Sequence, residues 1–419
     1  MKADWLVGVN PRWDVCRPRA IFTERRESSG PLDVHLTPSQ TLGVLPQEEY
    51  MEVTGSKVVL NLTGADNMKH VEPDDFVIHL RSFQGGIEHS RYRGKVSNAY
   101  TVMTPVASVE PRYFRWVLKS PGFIQELRTT TEQLRDGQSI KFEQFADVAL
   151  PLPPLEDQRR IADFLDDQVA RIDEVIAARQ GEYLLINEWF DGVLRESVLG
   201  VGRQNLGWSG TVGDDRALRP IGSVLQMRSE KNDPISVTQI LSLTAARGVI
   251  RYEDKGDIGN RASEDISRYS IVRKGDIVLN SMNVIIGSVG MSPYEGVLSP
   301  VYYVLYPLAT ADVEIEFVAL HFRIREFQRQ LIKLGYGILD HRMRIPWVNL
   351  KAERIAVPNR ETQRQVISRV SALDEERISA LAMIDRGSEA LSEYKRSLIS
   401  AAVSGEFDVS AASGRGVPV

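Results

Sequence analysis

Apolar positions along the 419-residue chain fall into two kinds of pattern, and each kind occurs twice. Short β-branched and aromatic runs come first. Phe76-Val77-Ile78-His79-Leu80 and Tyr100-Thr101-Val102-Met103 precede Ile277-Val278-Leu279 and Val301-Tyr302-Tyr303-Val304-Leu305, all bounded by Gly, Pro, Asp or Ser. That bounding predicts strands. After each set, Arg112 to Arg128 and Glu314 to Lys333 carry apolar residues at three and four spacing, which predicts helix. Strands followed by helix imply an α+β module, a curved sheet with helices to one side.

The second kind of pattern is longer. Alternating steps of three and four from Ala162 pass through Leu165, Val169, Ile172, Ile176, Arg179, Tyr183, Ile186, Phe190 and Val193, with only Arg179 polar. A similar walk from Val366 passes Val370, Leu373, Arg377, Ala380, Ile384, Gly387, Leu391, Tyr394, Leu398 and Ala401. Patterns longer than about 25 residues favour coiled coils over globular core helices. At about 1.5 Å per residue, each arm is on the order of 60 Å long. Gly181, Gly192 and Gly387 lie inside these arms, where each costs about 1 kcal/mol, so they predict close helix approach or a bend.

The two arms are copies. Shifted by 205, Pro153, Glu156, Gln158, Arg159 and Gly200 fall on Pro358, Glu361, Gln363, Arg364 and Gly405 without a gap. The shift puts Trp189 on Tyr394, whereas the first seam uses Phe190, so the two walks are out of register. Upstream, Asp75-Phe76-Val77-Ile78 echoes Asp276-Ile277-Val278-Leu279, and Phe123 and Leu127 echo Phe327 and Leu331. The chain is therefore a module followed by an arm, used twice, which predicts a pseudo-two-fold molecule facing one extended ligand. Pro153-Pro154 followed by Glu156 and Asp157 suits a helix start, and Asn359 after Pro358 is a good cap.

Composition narrows the class. At 42% hydrophobic residues, the chain is long enough for two or three ordinary cores. It has no run of about eighteen apolar residues and no basic-then-apolar leader, so neither membrane nor export is expected. One cysteine, Cys16, excludes an internal disulfide framework and fits a reducing cytoplasm. The net charge of −5 is uneven: 18 basic against 19 acidic residues over 1–150, 5 against 11 over 151–200, and 19 against 16 over 201–352. The first arm carries most of the negative charge. A local basic face on either module stays open.

The segment LPLPPLEDQRRIADFLD, through Pro151, Pro153, Pro154, Asp157, Gln158, Arg159, Ile161 and Leu165, resembles the conserved-region signature of the specificity subunit of Type I restriction-modification systems. DFVIHLRSFQGGIEHS followed by GKVSNAYTV resembles the family's target-recognition domains, with KGDIVLNSM as its second-half counterpart. The second conserved region departs from the pattern, with Asn359-Arg360 in place of Pro-Pro. The resemblance implies target-recognition domains at 1–148 and 201–353, conserved antiparallel helices at 149–200 and 354–408, and a flexible tail at 409–419. It also implies a non-catalytic chain that reads a split sequence in double-stranded DNA and docks two methyltransferase subunits, joined by motor-nuclease subunits for restriction. S-adenosylmethionine, ATP and Mg would sit on those partners, with no cofactor on this chain.

The residue inventory agrees with that implication. No phosphate-cradling Gly-x-x-x-x-Gly-Lys-Ser/Thr is present, Gly335-Tyr336-Gly337 lacks a third glycine, and Asp233-Pro234-Ile235 fails as an amino-methyltransferase motif. The six histidines show no metal-ligand spacing. DNA-contact candidates are polar or basic residues in loops: Arg81, Ser82 and Gln84 before Gly85-Gly86, then Arg91 and Arg93, with Asn280, Ser281 and Asn283 in the second module. Arg can bind guanine bidentately, and Gln or Asn adenine. The stretches before each arm add Arg135, Gln138 and Lys141, and Arg342 and Arg344. For packing between helices or with partners, the candidates are Leu165, Val169, Ile172, Ile176, Val370, Leu373, Leu391 and Tyr394. Two other classes stay open. A methyltransferase or nuclease would need unrecognised catalytic motifs, and a coiled-coil adaptor would leave the paired modules unexplained.

Overall fold

The computed structural model describes residues 4–56, 68–129, 140–244, 247–256, 261–282, 289–336 and 344–409. It divides into two compact units, residues 1–179 with 385–419, and residues 180–384. Each boundary falls inside a long helix.

The first unit runs through β1 (Asp14–Cys16), β2 (Phe22–Glu24), β3 (Leu36–Ser39), β4 (Gly43–Pro46), α1 (Gln47–Thr54), β5 (Lys69–Val71) and β6 (Phe76–Ile78). It continues with the single turn α2 (Ser82–Gly85), β7 (Glu88–His89), β8 (Gly94–Val96), β9 (Thr101–Pro105), α3 (Pro111–Val117), α4 (Pro121–Thr129), α5 (Phe142–Phe145), β10 (Leu150–Leu152) and the start of α6 (Leu155–Leu199). Four strands form an antiparallel sheet in the order β2-β9-β6-β7, with Phe76 opposite both Met103 and His89. Side chains alternate across a strand. Phe76, Ile78 and Met103 therefore enter a core with the helices, while Val77 and Val102 pack on the other face against Leu36, Val44, Val71 and Val96. Burial on both faces explains why these runs are continuously apolar.

The second unit repeats this plan with β11 (Gln204–Asn205), β12 (Thr211–Val212), β13 (Ala217–Pro220), β14 (Leu225–Met227), β15 (Leu241–Thr244), β16 (Gly248–Arg251), β17 (Ser270–Val272), β18 (Ile277–Asn280), β19 (Val289–Met291), β20 (Gly296–Leu298) and β21 (Tyr302–Pro307). Then come α7 (Ile315–His321), α8 (Arg325–Ile332), α9 (Trp347–Leu350), β22 (Arg354–Val357) and the start of α10 (Arg360–Ser404). Its sheet has the matching order β14-β21-β18-β19, with Ile277 opposite Leu305 and Met291. Ile277, Leu279 and Leu305 face the helices, and Val278 and Val304 face Leu241, Val249, Val272 and Leu298.

Individual contacts repeat as well. Arg25 grips Asp75 with two hydrogen bonds of 2.7 and 3.1 Å, and Arg228 grips Asp276 with two of 2.9 and 2.7 Å. Trp5 packs edge-on to Phe123, and Trp208 packs on Phe327. The amide of Gln158 accepts the Glu110 N–H at 2.9 Å and donates to the Pro153 carbonyl at 2.8 Å. Gln363 does the same with Glu314 and Pro358, at 2.7 and 2.8 Å. Both glutamines are buried, so each ties the helix that follows its sheet, α3 or α7, to the start of an arm.

Two sequence expectations need correction. The stretches 112–128 and 314–333 are each two short helices rather than one. Pro121 removes an N–H and crowds the preceding turn in the first stretch, and extended backbone at Ile324 divides the second. The arm seams also drift. Each arm is a single 45-residue helix, and Asn359 caps the second through the Thr362 N–H at 2.9 Å. In the first unit Leu165, Val169 and Ile172 are buried and Ile176 and Leu391 partly buried, but Tyr394 is 45% exposed. The adjacent Lys395 is half-buried and reaches the other arm, with its ammonium 2.6 Å from Asp173. In the second unit Val370 is buried and Leu373 partly so, and Leu194 rather than Val193 follows Phe190 into the core.

The arms run antiparallel within each unit. In the first, Asp173 meets Lys395 and Phe164 meets Phe407, and a Cβ on Gly387 would lie 2.7 Å from the Arg179 guanidinium. In the second, Arg377 donates to Asn187 at 2.8 Å. Gly387 thus marks the close approach expected of arm glycines, while Gly181 and Gly192 have open space around them. Among the described residues, no helix is long and apolar enough to cross a membrane. Burial pushes the Cys16 thiol up to about 11, as befits a packed residue.

Candidate nucleic-acid interface

In the first module, the strand end at Ile78 leads into a turn whose shape is fixed by what surrounds it. Arg81 and Gln84 are exposed on this turn. Ser82 is not available as a DNA contact, because it is fully buried with its hydroxyl accepting the His79 N–H at 2.9 Å. Gly86 has φ +87°, and a Cβ there would stand 2.3 Å from the Leu118 carbonyl, so only glycine fits. Arg91 and Arg93 are exposed on the following loop. The Arg93 guanidinium lies 3.5 Å from Asp33 and 3.6 Å from Glu72, which partly offsets its charge. Lys141 is exposed where α5 begins. Arg135 and Gln138 lie outside the described residues.

In the second module, Asn280 is nearly buried, and its side-chain oxygen accepts the Met282 N–H at 3.0 Å. Ser281 is fully buried and donates to the Val301 carbonyl at 3.1 Å, a correction that parallels Ser82. Arg344 is exposed and bridges to Tyr336. Asn283 and Arg342 lie outside the described residues. The two serines follow a strand directly, and a small hydroxyl there serves the turn backbone before it serves a ligand.

The structure brings together basic groups that the sequence reading passed over. Arg91 shares a cavity of about 390 Å³ with Arg115, Trp116 and Lys119, on the face formed by β4 and β7. Arg115 stacks 4.4 Å over the Trp116 ring and pairs with Asp166 of α6 at 2.6 Å. In the second module a cleft of about 460 Å³ gathers Tyr252, Lys255, Arg261, Arg268, Tyr269 and Tyr302. The Tyr252 and Tyr269 hydroxyls accept the Ala262 and Ser263 N–H groups at 2.8 and 2.9 Å, which fixes one wall. Aromatic rings interleaved with cations suit bases and phosphates. The signal in the sequence was the modest basic excess over 201–352.

The arms also carry exposed apolar side chains. Leu184, Leu185 and Trp189 of α6 are 69, 66 and 54% exposed, and Ile378 and Met383 of α10 are each 57% exposed. Among the described residues, no group of three or more His, Cys, Asp or Glu is placed to hold a metal ion.

The family model for the Type I restriction modification DNA specificity domain matches residues 48–180. Among solved structures, one described as the structural basis of complex assembly and conformational transition of the type I R-M system aligns over 95% of this chain and 99% of its own, with a TM-score of 0.69 at 14% identity. The HsdS subunit from Thermoanaerobacter tengcongensis aligns over 95% of this chain and 98% of its own, with a TM-score of 0.52 at 16% identity. No curated protein sequence matches the chain. Residues 48–180 thus match the Type I restriction-modification DNA specificity domain, the chain shares its fold with the specificity subunit structures to which it aligns, and the family resemblance carried by LPLPPLEDQRR is borne out.

Proposed function

We propose that this chain is the DNA-reading subunit of a Type I restriction-modification complex, related to itself by a pseudo-two-fold repeat and without catalysis of its own. Each module reads one part of a split sequence in double-stranded DNA, and the two arms hold two modification subunits, to which restriction subunits are added. S-adenosylmethionine, ATP and Mg belong to those partners. The observation that carries this reading is the duplication of the whole module, down to the Arg–Asp grip, the Gln clasp and the sheet order. One ligand read at two places asks for such a repeat, as does a partner bound twice. The exposed leucines, Trp189 and Met383 on the arms support partner docking, since solvated helix faces rarely carry so many large apolar groups.

The test is reconstitution. Cells expressing this chain with the modification subunits of its own system should acquire adenine or cytosine methylation at one split sequence, read by long-read sequencing. Cells lacking only this chain should show none. The purified chain by itself should neither methylate nor cut DNA. Methyl transfer by the isolated chain, after exclusion of contaminating partner, would sink the non-catalytic assignment.

A further inference from the structure

The first module contains a buried charged cluster that packing alone does not require. Glu88 of β7 is fully buried, and one of its carboxylate oxygens pairs with the Lys119 ammonium, which sits between α3 and α4. The same ammonium donates to the Gly85 carbonyl at 3.0 Å and to the Gln40 carbonyl at 2.9 Å, while the Gln40 amide donates to the Arg81 carbonyl at 2.9 Å. His79 completes the group. Its Nδ1 accepts the Arg81 N–H at 3.3 Å, so the ring proton is on Nε2, 3.6 Å from the paired Glu88 oxygen. The Ile87 N–H closes the turn onto the Leu118 carbonyl at 3.2 Å.

Three contacts of this cluster fall on the turn from Arg81 to Gly86, at the Arg81 N–H, the Arg81 carbonyl and the Gly85 carbonyl, and that turn carries the exposed Arg81 and Gln84. Two buried polar atoms of the cluster, His79 Nε2 and Glu88 Oε2, have no hydrogen-bond partner. Replacing a buried ion pair by apolar residues is often neutral or stabilising, so stability alone is a poor reason for this one. The second module is built without it. By strand register and helix alignment, Asn280, Gly290 and Arg323 stand where His79, Glu88 and Lys119 stand. Arg323 is turned to Asp374 of α10 at 2.6 Å instead.

We propose that Glu88 and Lys119, with His79, are positioning residues that hold the Arg81–Gly86 turn in the one conformation able to read bases, and so set the specificity of the first module alone. The proposal rests on the functional reading above for its DNA half only. A turn that is pre-shaped loses little on binding and rejects a wrong base sharply, whereas a loose turn adapts to several.

Two measurements test it, with Glu88→Gln as the main variant. The double variant Glu88→Met/Lys119→Met serves as a second, because it leaves no buried charge if Glu88→Gln fails to fold. Hydrogen exchange on the full chain should show amides 81–87 opening at least about tenfold faster in either variant, with α6 and the second module unchanged. Lys119→Arg keeps the cation and should stay near wild type. In the complex with modification subunits, the variants should methylate sequences relaxed in one half only, with discrimination there falling about tenfold or more. Uniformly faster exchange across the first unit would overturn the positioning role, as would equal relaxation of both halves or unaltered specificity despite a loosened turn. A wild-type complex that methylates no split sequence would instead sink the functional reading. Exchange on the chain alone separates that failure from this one.

Discussion

Single histidines in this chain respond to pH in opposite directions. His321 is fully buried between Phe317 and Phe327, with Nε2 3.1 Å from the Ala356 carbonyl, and burial pushes its pKa down from 6.5 to about 4. The fold therefore favours the neutral ring. That contribution is complete above pH 6.5 and is lost as pH falls from 6.5 toward 4, a destabilisation of about 3 kcal/mol at most. Melting temperature measured from pH 7 to 4 should fall less steeply in His321→Phe than in the wild type, although the variant starts lower because the Ala356 carbonyl loses its donor. Equal slopes would show that the ring does not titrate in the fold. At His70, burial lowers the pKa, but hydrogen bonds to Glu72 at 2.8 Å and Asp33 at 2.7 Å outweigh it, and the net shift is upward. Its stabilisation is full below pH 6.5 and is lost as pH rises through the raised value. His70→Gln should therefore lose more stability at pH 6 than at pH 9. The sequence could not show any of this. Spacing tests a histidine for metal ligation, whereas its burial and partners come from residues dozens of positions away, as Asp33 is from His70.

Among the elements, the arms were the most legible and still misled in one respect. A strict three-and-four walk has period 3.5, but a helix turns every 3.6 residues, so the walk drifts about 20° per heptad. Four heptads amount to nearly one residue. That is why the buried face reaches Leu194 where the walk reached Val193, and why Tyr394 lies outside it while the half-buried Lys395 beside it pairs across the arms with Asp173. Trp189 and Tyr394, which coincide under the 205 shift, both point outward, and the mismatch between the walks disappears. The inward and outward faces predict different failures. Leu165→Asp with Ile172→Asp places two charges in the core of the first unit, each costing several kcal/mol, and should lower melting or abolish folding. Leu184→Glu with Trp189→Glu changes exposed positions and should leave melting within a few degrees while abolishing co-purification with modification subunits. Normal co-purification of the outward double variant would mean that the partner docks elsewhere. The module loops were least legible. Ser82 and Ser281 have the composition of contact residues and the burial of turn residues, and only packing tells the two apart.

At the scale of the whole molecule, the duplication was visible in sequence because the contacts that join a module to its arm tolerate little change. Gln158 and Gln363 each satisfy two backbone groups from a buried site, and no other side chain of that length offers both an acceptor and a donor. On the proposed function, positions that read DNA have no such common duty, so they differ between the copies and escape alignment. Exchanging residues 17 to 147 for the same module of a relative should therefore change one half of the methylated sequence and leave the other half intact. A swap that altered both halves would show that the modules do not read independently. On the proposed function, spacing belongs to the arms. The boundary between units falls at Arg179 in α6 and at Ile384 in α10, so one heptad inserted after each lengthens both helices and keeps their antiparallel register. Seven residues add about 10 Å, roughly three base-pair steps. Three steps also turn the duplex by about 100°, because a full turn takes about 10 base pairs. The longer molecule should then methylate a site with a spacer about three base pairs longer and with both half-sites unchanged, but more slowly, since the DNA must twist to present the second half. An active product that kept the original spacer would show that something other than arm length sets the distance.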